Sequence, residues 1–226
     1  MKKYQSYGTG AALVDTEVVV SDEFLKLNAI EKGVMTLVDE PRQAELLNAL
    51  SAEKHHLMKQ SGGSACNTVI AAASFGSKTF FSGKVAADDD GQHFVGDLAD
   101  STASPEAGVT GKCLVMVTDD AERTMNTYLG ASEQLTRREI DEAALLESEW
   151  LYIEGYLLTD DARAALIKDV VAKAKESGVK VALSLSDPFV AQIFADNLRA
   201  VIGEGVDLVF CNKDEALAFT QTETVG

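Results

Sequence analysis

The sequence is poor in cysteine and histidine, with three of each in 226 residues. Cys66, Cys113 and Cys211 lie far apart and form no Cys-x-x-Cys pair, so we expect neither a disulfide framework nor a zinc site built from cysteines. The three thiols are predicted to be reduced and to fill small spaces in the core. His55 and His56 are adjacent and point in different directions on a helix or a strand, which argues against a zinc site there.

Long apolar runs are also missing. No segment approaches the about 20 apolar residues of a transmembrane helix, and the lysines after Met1 are not followed by the apolar core of a signal peptide. We therefore expect a soluble, cytoplasmic protein without membrane contact.

Basic residues are few, at 20 against 36 acidic ones, which gives a formal net charge of −16. Such a surface repels phosphate backbones, so we expect no nucleic-acid partner.

Several enzyme signatures are absent. The sequence has no Gly-x-x-x-x-Gly-Lys-Ser/Thr, no His-Arg-Asp or Asp-Phe-Gly, no Gly-x-Ser-x-Gly and no His-Glu-x-x-His, which excludes P-loop enzymes and protein kinases and leaves no hydrolase signature. Residues 8–13 approach the dinucleotide-binding fingerprint, but Leu13 replaces the third glycine and a strand pattern follows instead of a helix. We therefore reject a dinucleotide site.

The order of predicted elements favours an α/β fold. In the C-terminal half, strands at 150–154, 180–185 and 208–211 alternate with a helix capped by Thr159 or Asp160 and a helix from Pro188 to about Gly203. This alternation predicts right-handed βαβ units in a parallel sheet. The N-terminal half predicts two strands within 4–20, strands at 34–38, 78–82, 113–118 and 123–129, and helices at 42–50 and 62–75. We expect a single domain, 1–226, whose body is built from the C-terminal half plus the first strand.

Residues 61–68 place two glycines at the start of a predicted helix. Without Cβ atoms at Gly62 and Gly63, a ligand can approach the main chain and its free N–H groups. Ser61 or Ser64 is available as a helix cap, and Asn67 offers both a donor and an acceptor in the first turn. The spacing alone fits equally well a tight turn ahead of a buried helix.

Two further positions follow predicted strands. Asp15 comes after the first strand, where open α/β sheets place ligands, and its carboxylate can accept hydrogen bonds from sugar hydroxyls; taken alone, the position is more typical of a turn or edge residue. Asn212 and Glu215 follow strand 208–211. Asn-x-x-Glu is a capping box that needs no function, and it is compatible with Glu215 holding a magnesium ion or its water near transferring phosphates.

Together and in this order, the motifs resemble the ribokinase-like (PfkB) family of carbohydrate and nucleoside kinases over essentially the whole chain. Gly62, Gly63 and Asn67 match its signature Gly-Gly-x-x-x-Asn, which extends through 85–91. Segments 110–118 and 121–131 resemble the strands of its flap. The Leu-Val-Asp run at 13–15 and the segments 120–125 and 153–156 favour the adenosine-kinase and inosine–guanosine-kinase branch.

The resemblance implies a three-layer α/β/α fold with a mostly parallel central sheet and a small β flap, its strands within about 14–38 and 112–130. It implies ATP-dependent transfer of the γ-phosphate to a hydroxyl of a nucleoside or sugar, with Mg²⁺, under a flap that closes to exclude water. It also implies a homodimer formed through this flap, as occurs in related proteins. The residues carried over are Asp15, Gly62, Gly63 and Asn67 for the substrate, and Asn212 and Glu215 for phosphate and metal, with Glu215 as the metal residue.

Three departures from the family pattern qualify this reading. Ala11 replaces the usual asparagine before Leu-Val-Asp, and the region 91–111 is short. The Gly-Ala-Gly-Asp motif, which carries the family's catalytic base and anion hole, does not occur in these 226 residues. We therefore expect the C-terminal part of the fold to be missing, no catalytic base in this chain, weak or absent activity, and an exposed apolar sheet edge. The alternative is a non-catalytic sugar- or nucleoside-binding protein derived from the same fold.

Overall fold

The computed structural model describes residues 2–52 and 57–224. Its strands are β1 (Tyr4–Thr9), β2 (Leu13–Val19), β3 (Met35–Leu37), β4 (Met58–Gly62), β5 (Thr79–Ser82), β6 (Lys84–Ala86), β7 (Ser104–Glu106), β8 (Gly111–Val117), β9 (Arg123–Tyr128), β10 (Ser148–Ile153), β11 (Lys180–Ser184) and β12 (Leu208–Phe210). Its α-helices are α1 (Asp22–Leu27), α2 (Glu40–Ala52), α3 (Ser64–Ser74), α4 (Asp89–Gly96), α5 (Glu142–Leu146), α6 (Asp161–Glu176), α7 (Pro188–Ile193), α8 (Ala195–Gly203) and α9 (Lys213–Thr220). Short 3₁₀ helices lie at Gly130–Gln134, Arg137–Glu139 and Gly155–Thr159.

A parallel sheet forms the centre of the body, with strand order β12-β11-β10-β1-β5. Helix α3 packs on one face, where a Cβ at Gly8 would lie 2.7 Å from Val69. The main apolar core, which includes Leu151, Leu183 and Ile167 of α6, fills the other face. Helices on both faces explain why Val181, Ala182 and Leu183 of β11 are buried in succession, because consecutive side chains point to opposite faces of the sheet.

A second sheet has the order β3-β9-β8-β2-β4 and mixes parallel and antiparallel pairs. One of its faces packs on α1 and α2 through a separate core that includes Phe24, Leu46, Leu114 and Met116. The predicted fold class, a three-layer α/β/α body with a small additional sheet, is confirmed. In the part of the chain that the structure describes, no helix combines the length and the apolar character that a membrane span requires.

The structure corrects four local predictions. Asp15 lies inside β2, whereas the first strand ends at Thr9. Strand β4 was not predicted, and β5 joins the parallel sheet beside β1. The helix predicted from Pro188 to Gly203 is two helices, because Phe194 (φ −105°, ψ 25°) leaves the helical conformation and both ends α7 and begins α8.

Strand β12 is the outermost strand of the parallel sheet, and it is apolar on both faces. Leu208, Val209 and Phe210 are 43%, 37% and 48% exposed. Phe210 lies on the same face as Tyr152, at a ring distance of 6.1 Å, and Val209 therefore occupies the opposite face. No described strand pairs with the outer side of β12. The expected exposed apolar edge is present.

We expect this edge to make the chain self-associate, and Val209→Lys to reduce that association, because a charged side chain on an edge strand opposes strand pairing. Sedimentation velocity over a range of protein concentrations measures the effect. Leu27→Lys is the matched control, because Leu27 is 76% exposed but lies on α1. Equal sedimentation of both variants and the parent chain contradicts a role for β12.

Candidate functional site

The candidate site lies at the carboxyl edge of the parallel sheet. The strands end in register, with Thr9 beside Ile153, Ile153 beside Leu183, and Leu183 beside Val209. The residues that follow these ends therefore gather along one edge, which is where open α/β sheets bind ligands.

Asp15 and Gly62 lie against each other across the β2–β4 pair. A Cβ atom at Gly62 would be 2.1 Å from Asp15 Oδ1, so any larger residue at this position would displace the carboxylate. Burial, opposed by the charge of Arg123 and reinforced by that of Glu17, raises the pKa of Asp15 to about 6. Such a carboxylate gains stability from any ligand that donates hydrogen bonds to it.

Gly63 connects this pair to helix α3. It occupies the N-cap position with φ 91°, and a Cβ atom there would lie 2.3 Å from the Ala11 carbonyl oxygen. The predicted serine cap is wrong, because α3 has no side-chain cap. Ser61 Oγ donates instead to Asp97 Oδ2 at 2.7 Å, and Ser64 Oγ donates to Glu154 Oε2 at 3.1 Å.

Glu154 is a site residue that sequence reasoning did not single out. It follows β10 directly and is only 2% exposed. Its Oε2 also accepts the Ala65 N–H of α3 at 3.2 Å, and it lies against Gly10, where a Cβ atom would be 2.7 Å from it. Burial raises the pKa of Glu154 even though these bonds oppose the shift. Glu154 thus ties the loop after β1 to the start of α3, and its position just after a strand was the available signal.

Asn67 lies one turn into α3 and is exposed. Its main-chain N–H donates to the Gly63 carbonyl oxygen at 2.9 Å. Its amide side chain forms no hydrogen bond with the residues that the structure describes. The amide is therefore available to a ligand at the glycine pair.

Asn212 and Glu215 form the expected capping box at the start of α9. Asn212 Oδ1 accepts the Glu215 N–H at 2.8 Å, and the Asn212 N–H and side-chain amide donate to the two Glu215 oxygens at 3.2 and 2.8 Å. Glu215 is 8% exposed, and burial raises its pKa despite the Asn212 bond, with the charge of Asp187 adding to the effect.

Glu215 is the residue that the sequence predicts to serve the metal. Both of its oxygens are already hydrogen-bonded, and within residues 2–52 and 57–224 no group of three or more His, Cys, Asp or Glu side chains could hold an ion. His55 and His56 lie outside these ranges. Mg²⁺ keeps several waters and is usually held by one or two carboxylates plus phosphates. Each Glu215 oxygen accepts one hydrogen bond and keeps a second lone pair, so Glu215 is free to contact the ion directly or through a bound water.

Tyr156 lies near two acidic residues of the site. It is half-buried, and burial together with the charges of Asp187, Glu154 and Glu215 raises the pKa of its phenol. Tyr156 is therefore within electrostatic reach of Glu154 and of Glu215.

The cysteines divide by position. Cys66 and Cys113 are buried, and burial raises the pKa of both thiols, that of Cys113 to about 12. Cys211 is exposed. The prediction that all three fill the core is wrong for Cys211, because it follows the outermost strand.

Comparisons with known proteins identify the family to which the chain belongs. The family model described as pfkB family carbohydrate kinase matches residues 34–225. The structure of adenosine kinase from Sinorhizobium meliloti is 34% identical, with 98% of this chain and 69% of that chain covered and a TM-score of 0.88. That of a probable sugar kinase from Rhizobium etli CFN 42 is 33% identical, with 99% and 69% covered and a TM-score of 0.89. No curated protein matches.

More distant structures share the fold alone. Adenosine kinase from Schistosoma mansoni is 23% identical, with 98% of this chain and 66% of that chain covered and a TM-score of 0.84. This chain thus spans about two thirds of the length of each of these three proteins. By the match of its residues 34–225 and by its identity to the two rhizobial kinases, the chain belongs to the pfkB family of carbohydrate kinases.

Proposed function

We propose that this chain binds a nucleoside or sugar as the phosphate acceptor of an ATP-dependent kinase. The observation that carries the proposal is the Asp15 carboxylate, which is held in contact with the Gly62 main chain and poised to ionise near pH 6. A half-buried carboxylate beside approachable main chain suits a ligand with neighbouring hydroxyls, which donate to the carboxylate and accept from N–H groups.

Each group of site residues has its own role in the proposed reaction. Asp15 accepts hydrogen bonds from sugar hydroxyls, Asn67 and the glycine main chain complete the polar contacts, and the second sheet covers the acceptor and keeps water out. Asn212 and Glu215 serve the phosphate side, with Glu215 facing the metal directly or through water. Mg²⁺, when bound with ATP, offsets negative charge on the phosphates. No residue of this chain is assigned as the catalytic base.

A nucleoside suits the site better than a free sugar. The face of the second sheet that carries Asp15 also carries Val115 and Met125, in register with Glu17. Met58 of β4 and Leu37 of β3 extend this face and are 53% and 56% exposed. An apolar surface beside a sugar-binding carboxylate matches a flat base attached to a ribose. The adenosine kinase from Sinorhizobium meliloti is one of the similar proteins.

Calorimetry with adenosine, inosine and ribose, run beside an ATP-dependent phosphorylation assay, tests the proposal. Binding with turnover supports a kinase. Binding without turnover favours the alternative, a non-catalytic binding protein that has kept the acceptor pocket. If none of the three ligands binds, the proposal is wrong.

The raised pKa of Asp15 predicts a pH-dependent affinity. Hydroxyl donors favour the ionised carboxylate, so the affinity is expected to rise as pH increases towards about 6 and to level off above it, because Asp15 is then already ionised. Calorimetry between pH 5 and 8 measures this rise. Asp15→Asn is expected to bind weakly at every pH without the rise. Glu17→Gln should keep the rise but move it to lower pH, since Glu17 helps to raise the pKa of Asp15. An unchanged profile in Asp15→Asn contradicts the prediction.

A further inference from the structure

Three aspartates of the α4 region join the body to the second sheet, and the proposed chemistry uses none of them. Asp88 caps α4 by accepting the Gly91 N–H at 2.8 Å, and its other oxygen accepts the Thr110 N–H at 2.9 Å. The start of α4 is thereby fixed beside the start of β8.

Asp90 reaches the two strands on either side of β2. Its Oδ1 lies 2.7 Å from the Lys59 ammonium of β4, and its Oδ2 lies 2.8 Å from the Lys112 ammonium of β8. The Asp90 side chain is only 10% exposed. Desolvation acts to raise its pKa, but the bonds from Lys112 and Lys59 outweigh that effect and lower it. The bridge is therefore charged at neutral pH.

Asp97 holds the same strand at a second point, through the 2.7 Å bond from Ser61. Asp97 follows Asp90 by two helical turns and so lies on the same side of α4, while Lys59 and Ser61 alternate onto one face of β4. Strand β4 is an edge strand, and β2 is its only strand partner within the described residues. Hydrogen bonds to β2 alone would hold β4 weakly, and the bonds to the two aspartates add to them.

We infer that Asp90 and Asp97 are positioning residues of the acceptor site, which hold β4 so that the Gly62 main chain stays against Asp15. Gly62 directly follows Ser61, and the gap to Asp15 has no room for one further carbon atom. A small displacement of β4 therefore changes the carboxylate's surroundings. The inference rests on the proposed function for its ligand, but its geometry stands independently.

A double-mutant cycle tests this inference. Asp97→Ala and Ser61→Ala each remove the bond between the two side chains, and Asp97→Ala also removes the 3.7 Å contact of Asp97 with His93 of α4. Each variant is expected to speed amide exchange in residues 58–62 and to weaken adenosine binding by about fivefold. The double variant should match Asp97→Ala, because the Ser61–Asp97 bond is already lost in that variant. Asp89→Ala is the control, since Asp89 is exposed on the same helix and its side chain bonds to no described residue.

The outcomes separate the two proposals. Variants that exchange and bind like Asp89→Ala, or effects that add in the double variant, overturn the positioning role. Faster exchange with unchanged adenosine affinity overturns it as well, because the bond then serves stability alone. If the parent chain binds no adenosine, the proposed function fails, and hydrogen exchange by itself decides whether Asp97 holds β4.

Discussion

Replacing Gly62 with alanine is expected to abolish acceptor binding and to destabilise the fold. The added Cβ would lie 2.1 Å from Asp15 Oδ1 and 2.2 Å from its Cγ, well inside van der Waals contact. The strands cannot separate freely, because β2 and β4 are paired from Leu13–Gly62 to Glu17–Met58. Overpacking of this kind typically costs about 1–3 kcal/mol. Calorimetry with adenosine and urea unfolding measure the two effects.

Two further variants isolate the cause. Gly96→Ala is the control, because a Cβ there meets no atom within 4 Å, and it should leave binding and stability close to the parent values. Asp15→Ala combined with Gly62→Ala removes the clashing carboxylate, so it should recover stability without recovering binding. Normal adenosine affinity in Gly62→Ala alone would show that the main chain at Gly62 is not part of the acceptor site.

Replacing Glu154 with alanine is expected to destabilise the chain by about 2–4 kcal/mol. The change leaves the Ala65 N–H without its acceptor and opens a cavity between the loop after β1 and α3. Adenosine binding should fall as well, because Gly63 and Asn67 belong to the element that Glu154 holds. Urea unfolding and calorimetry on the same preparations measure both losses.

Glu154→Gln separates charge from shape. Glutamine keeps the volume and one acceptor oxygen, so its loss of stability should be smaller, about 1–2 kcal/mol. Glu149→Ala is the control, because Glu149 is exposed and lies on β10, the strand that Glu154 follows. A Glu154→Ala chain as stable as Glu149→Ala would mean that α3 does not depend on this carboxylate.

The sequence was most informative where local pattern and tertiary structure agree. The alternation of strands and helices after Trp150 predicted the parallel sheet, because each element is long enough for the spacing of its apolar residues to identify it as a strand or a helix. The capping box of Asn212 and Glu215 was predicted because both partners lie within one turn. The proposed roles of Asp15, Gly62, Gly63, Asn67 and Glu215 remain predictions.

The features that the sequence did not predict have a common physical cause. In each, the residues that make the stabilising contact lie far apart in the sequence. Residues 58–62 contain no β-branched or aromatic residue, and β4 exists because it pairs with β2 and is bonded to α4. Glu154 meets Ala65 across 89 positions. No local propensity reports such contacts.

The uneven exposure of the three thiols makes the native chain suitable for single-site labelling. An alkylating fluorophore should modify only Cys211, because thiolate chemistry needs both access and an accessible pKa, and Cys66 and Cys113 lack both. The dye would then sit one residue before Asn212 and report on ligand arrival at that end of the sheet without any engineered substitution.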